Sequence, residues 1–366
     1  MFRYFSYFSY LSIFFLFLSR LSLSRLTPDS ITVITTDTHN TTVVDAHNAT
    51  WHDFARFLYA GKGSQVDGMS ELKKYLNRFG YLPTNINFTD FFDSEFESAI
   101  LTYQTNLGLP ITGKLDSDTI STIMSPRCGV PDIDIDKDTD SALHVTKHYA
   151  YFYGKPRWIK GSPITLTYSL STSNMIDYIS LEEIKVVFKS AFSRWASVIP
   201  VSFREVEDYK SADIKIGWYG HDHGDGQPFD GVLGVLAHAF SPENGRFHLD
   251  TAETWALDFD KVKSRVAVDL ESVATHEIGH ILGLAHSSVQ EAVMYPSLSP
   301  RTKKRDLRID DVEGVQALYG SNPNFKFSSL LESENSVDKG IGVKCRMLPK
   351  WSISLVVGVL LLFLFS

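Results

Sequence analysis

Cysteine is almost missing from this 366-residue chain. Only Cys128 and Cys345 occur, which allows at most one disulfide and excludes a cysteine-stapled scaffold. A basic excess is missing as well. Thirty-five Lys and Arg stand against 43 Asp and Glu, a formal charge of −8, without the footprint of a nucleic-acid binder. No internal repeat recurs, which excludes a solenoid or propeller. Wholesale disorder is excluded by a hydrophobic content of 43%. At ~150 residues per domain, the length suggests about two domains plus extensions.

Both ends of the chain are apolar. Arg3 is followed by an apolar run from Leu11 to Leu18 and by small residues at Ser19, Ser22 and Ser24. This reads as a secretory signal over 1–26. The run is too short to span a bilayer comfortably, although a signal anchor is the alternative. Trp351 to Ser366 is apolar and carries no following Lys or Arg. Gly340-Ile341-Gly342, a spacer and that tail fit a glycosylphosphatidylinositol signal with attachment at Gly340. Asn335 and Ser336 are alternative attachment points, and a single-span tail is the alternative structure. Asn40, Asn48 and Asn87 open three glycosylation sequons, all before Cys128.

Between these ends the patterning changes once. Residues 27–50 read as a loose arm. From Trp51 to Met124 apolar residues recur at helical spacing: Phe54, Phe57 and Leu58, then Leu72, Tyr75, Leu76 and Phe79, then Phe96, Ile100, Tyr103 and Leu107. A last short helix falls near Ser117 to Met124. Asp132 to Asp140 is an acidic linker. From Pro163 strands appear: Ile164–Tyr168, Val201–Val206, Asp213–Trp218 and Val232–Phe240. Amphipathic helices are read over Leu181–Ile199, Leu270–Gly283 and Ile309–Leu318.

One stretch carries chemistry: His276-Glu277-Ile278-Gly279-His280-Ile281-Leu282-Gly283-Leu284-Ala285-His286. Histidines four apart leave one helix face one turn apart and can share a zinc ion. Glu277 beside the first ligand can reach a zinc-bound water. Gly283 tolerates the left-handed turn that ends a helix, so the chain can return with His286 as third ligand. A fourth position stays open for water, as catalytic zinc requires.

This pattern, followed by Val293-Met294-Tyr295-Pro296, resembles the metzincin proteases, with Met294 in their Met-turn. Pro126-Arg127-Cys128-Gly129-Val130-Pro131-Asp132 resembles the cysteine switch of matrix metalloproteinases. The resemblance runs from about 51 to 320, and the lack of a haemopexin-like repeat is similar to the plant branch.

The resemblance implies an α+β fold: a twisted mixed sheet plus three helices, preceded by a small helical pro-domain. It divides the chain into a 1–26 signal, a 27–50 arm, a 51–148 pro-domain with the switch, a 149–320 catalytic domain, a 321–340 stalk and a 341–366 anchor signal or membrane tail. It implies two zinc ions and at least one calcium. The catalytic zinc takes His276, His280 and His286, with Cys128 as ligand in the latent form and Glu277 as general base. A structural zinc takes His223, Asp225, His238 and His248. Calcium takes the carboxylates of Asp230, Asp250 and Glu253 and the carbonyls of Gly231, Leu233 and Val235.

By the same resemblance Gly234 to Ala239 is an edge strand for substrate, beside one apolar pocket walled by Val273 and Tyr295 to Leu298. The basic run Arg301 to Arg308 reads as a solvated loop. The expected function is a secreted, latent zinc endopeptidase acting on extracellular proteins. It would be a monomer without nucleic-acid partners, tethered to the outer face of the plasma membrane or lying in the extracellular matrix. A non-enzymatic, glycan-binding surface protein using residues 51–124 is the competing function.

Overall fold

The computed structural model describes residues 33–34, 43–44, 52–84, 88–133, 148–326 and 328. The expected signal, the three sequon asparagines, Cys345, Gly340 and the apolar tail lie outside the described residues. The chain forms two units. In the first, β1 (Val33–Ile34) pairs antiparallel with β2 (Val43–Val44). All remaining elements belong to the second.

The second unit begins with helices. A 3₁₀ turn over His52–Phe57 precedes α1 (Met69–Arg78), α2 (Ser94–Asn106) and α3 (Ser117–Ile123). Asp93 and Asp116 cap α2 and α3 by accepting from Phe96 N and Thr119 N. The apolar stripes read from the sequence meet in one core, with Leu72, Leu76, Phe79, Phe96, Ile100 and Tyr103 fully buried. Leu58 does not join it. The first segment is a 3₁₀ turn with three residues per turn, which turns Leu58 outward at 40% exposure. Phe229, Val235 and Tyr295, far along the chain, complete this core.

The remainder is a six-stranded sheet with helices. Its strands are β3 (Arg127–Cys128), β4 (Ile164–Leu170), β5 (Val201–Glu205), β6 (Ile214–Tyr219), β7 (Val235–Ala239) and β8 (Arg246–Asp250). Their order is β3-β7-β8-β6-β4-β5, antiparallel only between β7 and β8. A parallel step needs a crossover, supplied between β4 and β5 by α4 (Leu181–Val198). Ser180 and Glu183 close a capping box at its start. The helix buries Ile184, Val187, Phe188, Ala191, Phe192 and Trp195, the stripe expected. β9 (Trp255–Ala256) and β10 (Val268–Asp269) form a short parallel pair leading into α5 (Leu270–Ile281), and α6 (Ile309–Tyr319) follows. The α+β expectation, with three helices around the mixed sheet, is met.

The expected strand at 232–240 is shorter, because Leu233 and Gly234 take positive φ (63° and 85°) and form a loop. β8 to β10 went unread. β8 carries His248 and Asp250 inward, so it lacks the apolar alternation that marks a strand.

Candidate active site

Every residue of α5 is buried. Asp269 caps its start, accepting from Ser272 N at 3.0 Å. Its end is a Schellman turn: Leu284 N donates to Gly279 O and Gly283 N to His280 O, with Gly283 at φ 105°. A side chain at Gly283 would also strike Pro156 O. This turn sends the chain back so that His286 reaches the histidines of the helix.

The three imidazoles are oriented by their outer nitrogens. His276 Nδ1 faces Val293 O at 2.7 Å, His280 Nδ1 faces Leu284 O at 2.8 Å, and His286 Nδ1 faces Asp132 Oδ1 at 2.6 Å. An acceptor at each Nδ1 keeps the proton there and leaves Nε2 as a lone pair. His280 Nε2 and His286 Nε2 lie 3.2 Å apart, and His276 Nε2 is buried without a partner. Burial lowers the pKa of all three. Neutral lone pairs gathered at one point repel unless a cation lies between them. Cys128 Sγ stands 3.4 Å from His280 Nε2, and the four ligand atoms lie within 4.8 Å of one another. This donor set fits zinc. Gly279 faces Met294: a Cβ there would lie 2.2 Å from its sulfur, so the Met-turn packs directly beneath the ligand helix.

Glu277 is fully buried and neither carboxylate oxygen has a hydrogen-bond partner. Burial pushes its pKa up to about 8. Burial and then the charge of Glu277 push the Cys128 thiol well above its ordinary value. The thiolate at neutral pH therefore depends on a cation.

The segment carrying Cys128 is held as a strand in a cleft. Cys128 N donates to Pro296 O and Leu298 N to Pro126 O on one side. Arg127 N donates to Gly234 O and Gly129 N to Ala237 O on the other. Asp132 anchors the following turn. It accepts from Arg127 Nη2 at 2.6 Å and Tyr81 OH at 2.8 Å while meeting His286. Burial alone would raise its carboxyl, but Arg127 and His286 hold it well below the usual range. The Arg127 guanidinium stacks 3.7 Å over the Phe79 ring. Sequence reasoning quoted Asp132 within its motif without seeing this link between the pro-region and the third histidine.

The second cluster is also assembled. Asp225 Oδ2 lies 2.9 Å from His223 Nε2, 2.8 Å from His238 Nε2 and 2.8 Å from His248 Nδ1. Both other imidazole nitrogens stand 3.2 Å from His248 Nδ1. These spacings approach the edge of about 3.3 Å of a tetrahedron around zinc. Burial pushes His238 down to about 3 and His248 to about 4, so both offer lone pairs.

Residues 157–320 match the family described as Matrixin, and residues 65–123 match a peptidoglycan binding domain. The chain is 58% identical over 302 residues to Metalloendoproteinase 1-MMP of Arabidopsis thaliana, 82% of each chain. It is 45% identical over 270 residues to Metalloendoproteinase 1 of Glycine max, 73% of this chain and 87% of that one. It is 39% identical over 226 residues to human Matrix metalloproteinase-20, 61% of this chain and 42% of that one. The chain belongs to the matrixin family. It is a zinc metalloendopeptidase that acts on protein substrates.

In this matrixin, the buried carboxylates of Asp250 and Glu253 and the half-buried Asp230 stand close enough to repel one another. Asp250 Oδ2 and both Glu253 oxygens lack partners. Burial, then mutual repulsion, pushes Asp250 up to about 6 and Glu253 well above its ordinary value. Converging carboxylates with empty lone pairs suit a hard cation such as calcium. Gly231 and Leu233 lie on the positive-φ loop beside them, and Val235 N donates to Asp230 Oδ1 at 2.9 Å.

A small pocket opens beside Glu277 and His276, walled by Val273 and Tyr295–Leu298 as expected, and also by Leu236 and Val293. It is not wholly apolar, because Ser272, Ser297 and Lys304 also line it. The basic run is a solvated loop only in part, with Arg301 and Lys303 exposed but Lys304, Arg305 and Arg308 half-buried. Lys304 enters the pocket wall and Arg305 pairs with Asp269 and Glu271. Arg301 donates to the carbonyls of Phe259, Val262 and Ser264. The carboxylates of Asp269 and Glu271 and the loop carbonyls draw these residues inward.

Proposed function

We propose that the chain is made as a secreted, latent zinc endopeptidase of extracellular proteins, silenced by Cys128 until the pro-region is cut. The observation that carries this reading is the convergence of three oriented imidazoles and one thiol beside a buried, unpartnered glutamate. His276, His280 and His286 would hold the catalytic zinc, with Cys128 closing the fourth corner. When bound, zinc supplies Lewis acidity to the scissile carbonyl and to the attacking water. Glu277 takes a proton from that water and hands it to the leaving amine. Two peptides leave and no acyl-enzyme forms.

His223, Asp225, His238 and His248 would hold a second, structural zinc, closed to substrate. Asp230, Asp250 and Glu253, with carbonyls of Gly231, Leu233 and Val235, would hold calcium. The division into a 51–148 pro-domain and a 149–320 protease belongs to this reading, as does a mature N-terminus near Tyr149 to Phe152. Residues 148–151 strap onto the protease, with Ala285 N donating to Ala150 O and Tyr151 OH to Gly314 O. This supports a cut upstream of the strap. Glycans at Asn40, Asn48 and Asn87, a lipid anchor near Gly340 and a monomeric state complete the proposal. Among the described residues no helix is long and apolar enough to cross a membrane.

Glu277→Ala tests the reading. Peptide cleavage by the activated enzyme should fall at least 10²-fold, in line with loss of a general base, while zinc content stays unchanged. The match of 65–123 to a peptidoglycan binding domain favours a second reading, a glycan-binding surface protein. Unmutated, zinc-loaded enzyme that cleaves no peptide yet retains polysaccharide would establish it instead.

A further inference from the structure

The three imidazoles find their Nδ1 acceptors in different parts of the chain. His276 and His280 face Val293 O and Leu284 O, backbone carbonyls close by in sequence. His286 instead meets a carboxylate, that of Asp132, 154 positions upstream and 2.6 Å away. Among the described residues no other acceptor bonds that nitrogen. The pair is shielded from water, with the His286 side chain 4% and the Asp132 side chain 3% exposed. Asp132 is itself held by the helical region. Its Oδ1 also accepts from Arg127, its Oδ2 accepts from Tyr81 OH, and its backbone N donates to Phe79 O at 3.1 Å. The turn it lies in has no slack, because a Cβ on Gly80 would meet Ile133 O at 2.1 Å. The early helices thus fix where this carboxylate stands, and the carboxylate fixes the ring plane and tautomer of His286.

A charged acceptor on the outer nitrogen of a ligating imidazole bonds more strongly than a neutral carbonyl and makes the inner nitrogen more basic. Loss of such a partner typically weakens metal binding about 10–100-fold. We propose that Asp132 is a positioning residue for the catalytic zinc. The uncut pro-region then blocks the metal through Cys128 and separately tightens its hold through His286. Cutting the segment away removes both effects and leaves His286, alone of the three, without a protein acceptor on its outer nitrogen. The mature enzyme holds its zinc less tightly than the precursor for a reason distinct from loss of the thiol. This role rests on the zinc protease reading and gives the pro-region a second task, retention of the metal before cutting.

The test uses full-length, zinc-loaded protein carrying Glu277→Ala, which prevents self-cutting. Cys128→Ala is added so that the thiol contributes nothing, and Asp132→Ala is compared with its parent in that background. Zinc affinity, measured by competition with a chelating dye, should fall at least tenfold with Asp132→Ala. In histidine-labelled protein the Nδ1 proton resonance of His286 should move, while those of His276 and His280 stay in place. A fall of less than tenfold, or an unmoved His286 resonance, overturns the role. Where zinc changes the spectra of all three histidines and Asp132→Ala changes nothing, the role alone falls. Where zinc changes none of the three spectra, the zinc protease reading falls instead. Should Asp132→Ala not fold, Asp132→Asn replaces it. Its neutral oxygen should move the His286 resonance toward those of the two carbonyl-bonded rings, and an unmoved resonance then overturns the role.

Discussion

Arg127 is a fully buried cation whose partner Asp132 has an almost fully buried side chain, and on the proposed reading this pair sets how firmly the Cys128 segment is held. Removing one member of a buried pair strands the other charge, at a cost of about 3–5 kcal/mol. Arg127→Ala should therefore release the segment without unfolding the protease. The Cys128 thiol of the variant precursor should react with a chromogenic disulfide reagent, and peptidase activity should appear without cutting. An inert thiol in folded variant protein would refute this role. The residue identities at the site were legible in advance because zinc ligands obey a spacing rule that composition cannot mimic. Lys304 was illegible. Five basic residues in eight read as solvated, and only the acceptors folded around them reverse that.

The ligand helix packs against the Met-turn at Gly279 and bonds it through His276. A methyl at Gly279 would meet the Met294 sulfur at 2.2 Å and Trp195 at 3.0 Å. Overpacking of this kind costs about 1–3 kcal/mol. Gly279→Ala should lower the melting temperature and make zinc easier to strip with a chelator. Unchanged melting and chelation would show that the turn yields freely. From the other side, Asp311 accepts from Val293 N, Met294 N and Arg308 N. Asp311→Ala leaves these donors buried and unmatched, at roughly 1–3 kcal/mol each, and should destabilise more than Asp311→Asn in denaturant titrations. Helices α4 to α6 were readable because each has a continuous apolar stripe. β8 was not, because its buried residues include His248 and Asp250, which break the apolar pattern.

At the scale of the molecule, the carboxylate group beside β8 makes stability depend on pH and, on the proposed reading, would make it depend on calcium. Asp250 holds its proton in the folded state up to about 6, against an ordinary value of 3.8. A raised folded-state pKa stabilises below the unfolded pKa, and that contribution is lost as pH rises from about 4 through 6. Calcium held there as proposed would need the ionised form and would offset the loss. The increase in melting temperature on adding calcium to chelator-treated protein should thus be larger at pH 7 than at pH 5. An equal increase at both would remove the carboxylates from the site. The core shared between the early helices and Phe229, Val235 and Tyr295 was also hidden from the sequence, since no local pattern reports a contact across 200 residues.

The Cys128 segment, inhibitory on the proposed reading, adds one row to the sheet, using backbone donors and acceptors of β7 and of the Pro296–Leu298 loop. An extended polypeptide that enters the cleft must use those same groups, so blockade and turnover are mutually exclusive in any one molecule. A free peptide spanning Pro126–Asp132, supplied in trans to trimmed enzyme, should accordingly act as a competitive inhibitor. Its effect should vanish at saturating substrate, leaving maximal velocity untouched.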